Sequence, residues 1–342
     1  MTKWVLNFAF PALLTLVVAA CSTGANVQPP QSNALPSSGS AVPRALAGSS
    51  TYLYVADPGA QKVVVFDPNY KVVKTYTTGL TTPAGDFVDA KGNLFVANQS
   101  DCTHGNVAEY LHGVTAPSFT YTAGLACPVA VGADKSGNVY VFDAGPGANG
   151  TATIFKFKSG KNKVANSWNA CNHTLYTTCY PEGLTIGRNN WVYTTIWGIL
   201  PGGKQSGYWV FDILIPSKNQ QGYLAGWYNP AGGTAIDKRL NVLAGAWPAS
   251  CGGGRVPTAN EDIVQFPYPY HGSDWCPVFL GPGGFTSVTG LALSLDQSLL
   301  YVADYGAATV SVLTYPKGTL VTTLGVANGL SDPRGVAGGP AP

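Results

Sequence analysis

The sequence predicts an all-β chain folded as a six-bladed β-propeller, and three observations predict it. The composition is that of turns and strands: of 342 residues, 42 are Gly, 25 Pro and 18 Tyr, while only 11% are charged. A short β-rich phrase recurs six times. The count of its neighbouring strands closes only if the two ends of the chain share one blade.

The phrase is LYVADPG (53–59), LFVANQS (94–100), VYVFDAG (139–145), VYTTIWG (192–198), LNVLAGA (240–246) and LYVADYG (300–306). The copies lie roughly 40 to 60 residues apart, the spacing of a blade of four short strands. A turn and an apolar strand precede five of them: PAGDFVD (83–89), PVAVGAD (128–134), PEGLTIG (181–187), PAGGTAI (230–236) and VTGLALS (288–294). An alternating strand follows each, from KVVVFD (62–67) to TVSVLT (309–314), and then a more polar fourth segment such as KVVKTYT (71–77). Six second strands thus stand against five first strands. The sixth first strand is PRGVAG (333–338), at the end of the chain. Paired with residues 51–57 it completes the first blade and leaves no open strand edge to aggregate.

Residues 1–20 read as a secretory signal: Lys3, an apolar run from Trp4 to Ala20 broken by Asn7, Pro11 and Thr15, then small residues. The run is short for a membrane span. Residues 22–50 hold no aromatic residue and no acid, and read as a Pro/Ser/Gly tether. The domain is therefore 51–342. Its surroundings resemble those of a bacterial lipoprotein: Val18-Ala19-Ala20-Cys21 is similar to a lipobox. That resemblance implies lipid attachment at Cys21, export and a membrane anchor, with Ser22 pointing to an outer membrane where there is one.

The net charge of +2 and the absence of a basic patch speak against nucleic acid as a partner. The expected state is a monomer. Six further cysteines, an even number in an exported domain, suggest disulfides. Cys102 and Cys251 follow a second strand; Cys127, Cys171, Cys179 and Cys276 fall between blades. In a four-stranded blade these loops open on one face, so the local pairs 102–127, 171–179 and 251–276 are expected there.

That face is also the candidate ligand mouth. Its expected lining is Asp57, Asn98, Asp143, Trp197, Trp247 and Asp304 from the second strands, with Asp86, Glu182 and Arg334 from the first. For the recurring Asp residues a second role competes, accepting backbone N–H bonds in a tight turn. Trp191, Trp209 and Trp227 are expected in the core. No Zn-like His spacing, nucleophile elbow or phosphate loop is present.

The run VTGLALSLDQSLLYVADYG (288–306) resembles NHL-repeat propellers and the related SMP-30/gluconolactonase-like group. The resemblance implies a Ca²⁺ or Mg²⁺ ion at the mouth, with Asp304 and Glu182 as ligands, and a lactone or ester hydrolase activity. The chain departs from that pattern where Val288-Thr289-Gly290 replaces the family's Pro-Asn-Gly turn. The favoured expectation is therefore a lipid-anchored binding or scaffold module for a protein, glycan or small molecule. The metal-dependent hydrolase is the alternative.

Overall fold

A computed structural model describes residues 50–148, 150–170, 178–199, 208–224, 229–247, 261–269 and 278–342. The expected leader, Cys21 and nearly all of the tether lie outside these residues, as do Cys171, Cys251, Cys276 and Trp227.

Six four-stranded antiparallel sheets form the molecule. Blade 1 is built from β1 (Tyr52–Asp57), β2 (Lys62–Phe66), β3 (Val72–Tyr76) and the C-terminal β24 (Gly335–Gly339). Blade 2 comprises β4 (Pro83–Val88), β5 (Leu94–Asn98), β6 (Asn106–Tyr110) and β7 (Phe119–Tyr121). Blade 3 comprises β8 (Pro128–Ala133), β9 (Val139–Asp143), β10 (Thr153–Phe157) and β11 (Val164–Asn169). Blade 4 comprises β12 (Thr178–Ile186), β13 (Val192–Ile199), β14 (Tyr208–Ile215) and β15 (Gln220–Leu224). Blade 5 comprises β16 (Asn229–Ile236), β17 (Val242–Trp247), β18 (Glu261–Phe266) and β19 (Val278–Phe285). Blade 6 comprises β20 (Val288–Leu293), β21 (Leu299–Asp304), β22 (Thr309–Thr314) and β23 (Leu320–Leu324).

The ring closes as the strand count requires. β24 pairs with β1, Leu53 opposite Gly338 and Val55 opposite Val336. Tyr54 adds a hydrogen bond from its hydroxyl to the Pro340 carbonyl, 2.9 Å. The inner strands β24, β4, β8, β12, β16 and β20 meet in sequence around the axis.

The core is divided among the blade seams. Six separate apolar clusters are buried, each shared by two adjacent blades. This explains the unbroken apolar runs: second strands such as Leu53–Ala56 are covered on both faces by neighbouring sheets. The outermost strands are covered less, and Val72 and Val73 of β3 are about half exposed. Trp191, expected in the core, sits just ahead of β13 and packs partly buried against the seam of blades 4 and 5. Trp209 lies in β14.

Near the axis the strands approach closely. Gly85, Gly183, Gly290 and Gly335 recur at the third position of the inner-strand phrase, and Gly233 stands at the fourth position of the blade 5 phrase. A Cβ on Gly183 would lie 2.7 Å from the Gly232 carbonyl oxygen, and one on Gly290 would lie 2.5 Å from that of Arg334. Glycine is what the backbone-to-backbone distance at the axis allows.

Candidate functional site

Two cavities enter the channel from opposite ends and meet at a waist. Each inner strand contributes one residue there: Asp86, Val131, Leu184, Thr234, Leu291 and Val336, all of which line both cavities. Four aliphatic side chains dominate this constriction. The cavity on the cysteine-bearing face holds about 440 Å³ and the opposite one about 290 Å³.

The larger cavity is walled by Cys102, Cys127, Tyr180, Glu182, Trp197 and Arg334, among others. Cys102, in the loop after β5, is bonded to Cys127, just ahead of β8, over a sequence span of 25 residues. The bond ties the blade 2 rim to the blade 3 inner strand, as the common-face layout expects. Cys179 is also disulfide-bonded; its expected partner Cys171 and the pair 251–276 fall outside the described residues.

The structure separates the expected mouth residues into two groups. Asp57, Asn98, Asp143 and Asp304 are all buried and line neither end of the channel. Each ends a second strand and braces the turn that leads into the inner strand of its own blade. Asp57 accepts from Ser331 N (2.7 Å) and Asp332 N (2.8 Å). Asn98 accepts from Thr81 N and Thr82 N, both 2.9 Å. Asp143 accepts from Ala126 N and Cys127 N, both 3.0 Å, and from Gly145 N at 2.7 Å. Asp304 accepts from Thr286 N (3.0 Å) and Ser287 N (2.9 Å). Burial raises the carboxyl of Asp143, and its three amide donors partly oppose that rise.

Trp197, Glu182 and Arg334 do line the cavity, and Asp86 lies deeper, at the waist. Trp197 ends in a stacked arrangement with Tyr180, ring centroids 4.9 Å apart. Trp247 is the last residue of β17; its side chain lies outside the described residues. The guanidinium of Arg334 lies 4.4 Å over the Tyr305 ring and 3.8 Å from an Asp332 carboxylate oxygen.

Tyr180, Thr234 and Glu261 are not among the residues expected from the sequence. The Glu261 carboxylate accepts from Val288 N at 2.6 Å, so Asp304 and Glu261 together bind three successive amides, 286 to 288. Glu261 follows the long blade 5 loop, outside the repeated Asp slot, and nothing in the local pattern marks it. Burial lifts Glu261 to about 7 and Glu182 to about 8; Asp304 reinforces the first shift and Glu261 the second.

The cation site implied by the resemblance does not fit these residues. Asp304 spends both oxygens on backbone amides. Among the described residues no group of three or more His, Cys, Asp or Glu side chains is placed to hold a metal.

No protein-family model and no curated protein sequence matches the chain. Solved structures do. A chain of the nidogen/laminin complex superposes with a TM-score of 0.58 at 11% identity, over 84% of this chain and 98% of that one. A functionally unknown protein from Desulfotomaculum acetoxidans gives 0.54 at 12%, over 85% and 99%. Hydrazine synthase of Kuenenia stuttgartiensis gives 0.54 at 13%, over 77% and 73%. The chain shares its fold with these proteins. At such identities the likeness concerns the fold alone.

Proposed function

We propose that this chain is an exported, lipid-anchored propeller that works as a binding module, taking its ligand into the cavity on the disulfide-tied face. One observation carries the reading: a 440 Å³ cavity, narrowed at its floor by a mostly aliphatic waist, has a stacked Tyr180–Trp197 pair on its wall. A concave, partly apolar pocket with a few convergent polar groups is the form small-ligand sites take. The stacked rings present a flat face to a sugar or aromatic group. The Cys102–Cys127 bond keeps the rim in place without a ligand.

Export and anchoring rest on the lipobox-like Val18-Ala19-Ala20-Cys21 and the tether behind it. An inhibitor of lipoprotein signal peptidase should accumulate the precursor, and Cys21→Ala should release the protein from the membrane fraction. Continued anchoring of Cys21→Ala would refute that half of the reading. Binding is tested by a thermal-shift screen of sugars, amines and short peptides. Hits should weaken at least tenfold in Trp197→Ala; hits indifferent to that change would place the ligand elsewhere.

A further inference from the structure

We propose that the waist of the channel, built on Asp86 and Thr234, binds the ammonium head of an organic amine whose body lies against Tyr180 and Trp197. The inference rests on the binding reading above and names its ligand class.

The geometry is specific. Asp86, in β4, and Thr234, in β16, are 9% and 5% exposed. Both carboxyl oxygens of Asp86 and the hydroxyl oxygen of Thr234 are buried without a protein hydrogen-bond partner. Both residues line the cavity that holds the stacked rings. Buried polar atoms are nearly always partnered, because leaving them bare forfeits the hydration they had in the unfolded chain. The other waist residues, Val131, Leu184, Leu291 and Val336, offer no polar atom. Burial lifts the Asp86 carboxyl well above the usual carboxylate range, opposed by nothing but its own backbone amide.

The unmet atoms are three oxygens on two residues of the waist, two of them on one carboxyl. A primary ammonium has three N–H donors and a positive charge, and it matches that set. As it seats, Asp86 ionises and its proton passes to solvent, so the buried acid acquires a counter-ion. Above it, the Tyr180–Trp197 pair covers an apolar body, and Glu182 adds a carboxyl group on the path inward. Arg334, whose inner-strand position places it across the ring from Glu182, disfavours a second positive group at the rim. With few carboxylates and no His or Cys at the waist, a divalent metal lacks its ligands here.

Three probes share one ring and differ in head group: phenethylamine, 2-phenylethanol and phenylacetate. Calorimetric titration of the full chain in detergent, at pH 7.5, should give phenethylamine a Kd at least tenfold below that of the other two. Asp86→Asn keeps the size, removes the charge and should bring amine and alcohol within twofold. Thr234→Val should weaken the amine about threefold to fivefold. The unfolding temperature of Asp86→Asn should match or exceed that of the parent, separating lost binding from lost fold. Thr234→Val provides the same comparison if Asp86→Asn does not fold. Equal binding of amine and alcohol, both lost in Trp197→Ala, would overturn the ammonium site and leave the binding reading intact. Silence from all three probes, or amine binding untouched by Asp86→Asn, would also overturn it. Sugar hits that depend on Trp197 would then still support the wider reading.

Discussion

Blades 1, 2, 3 and 6 hold the start of their inner strand with one side chain; among the described residues of blades 4 and 5 a longer backbone ladder stands there. In the first group Asp57, Asn98, Asp143 or Asp304 sits at the end of the second strand and accepts from two successive amides of the incoming turn. Asn98 and Asp143 stand opposite Pro83 and Pro128. The equivalent partners in blades 4 and 5 are Ile196, opposite Pro181, and Ala246, opposite Pro230. Neither can accept a hydrogen bond through its side chain. The ladder instead runs on: Tyr180 pairs with Trp197 and Thr178 with Ile199 in blade 4, and Asn229 pairs with Trp247 in blade 5. The clamp ends a hairpin at the rim, whereas the longer ladder carries it beyond. That extension puts Tyr180 and Trp197 on the cavity wall. The chain departs from its repeat where it builds the site, the pattern expected when function overrides local regularity.

The most severe way to break the comparison is to remove a blade's inner strand altogether. Deleting residues 331–342 strips β24 from blade 1 along with the two amides that Asp57 binds. Loss of the cooperative circular-dichroism melt is expected; an unchanged melting temperature would show that the ring does not depend on closure. Gly233→Ala should come next, at about 3 kcal/mol. Its Cβ would lie 2.5 Å from the Gly290 Cα, backbone against backbone, with no flexible side chain to yield. A denaturant midpoint within error of the parent would mean that the inner strands can spread.

The clamps themselves should give a smaller, uniform effect. Asp57→Ala, Asp143→Ala and Asp304→Ala should each cost about 2 kcal/mol, because each leaves buried amides unpaired. Added Ca²⁺ should not change that pattern. A Ca²⁺-dependent rise in melting temperature, abolished by Asp304→Ala and Glu182→Gln alone, would instead restore the hydrolase alternative.

Blades 4 and 5 carry a pH signature that reaches into the neutral range. Glu182 is lifted to about 8 and Glu261 to about 7, from an ordinary value of 4.5, by burial first. The folded chain therefore holds protons more tightly than the unfolded one across that window. Their contribution to stability is complete below pH 4.5 and is lost as pH rises toward 8. Each group adds a slope of at most about 1.4 kcal/mol per pH unit. The melting temperature should fall between pH 5 and pH 8, and Glu182→Gln should flatten that fall. A rise with pH would mean that these acids are paired with a cation in the folded state. The smallest expected effect is at the stack: a double-mutant cycle on Tyr180→Ala and Trp197→Ala should give a coupling of about 1 kcal/mol. A coupling near zero would remove the stack from the wall's energetics.

The blade number, the four strands of each blade and the closing role of residues 333–338 were legible in the sequence by itself. Strand periodicity and repeat spacing are local properties, and the strand count at the ends admits one closure. The pairing of Cys102 with Cys127 was legible for the same reason, since the topology put both loops on one face. The roles of the individual acids were not. Asp57, Asp143 and Asp304 look identical to a ligand set in sequence, and only the packed turn shows their oxygens consumed by amides. Asp86 looks like a rim residue, yet the register of β4 carries it to the waist beside five other blades. Glu261 carries no local mark, and its amide partner lies 27 residues away on the next blade. Whether a polar atom is spent or left for a ligand depends on which distant backbone reaches it, and the tertiary structure alone decides that.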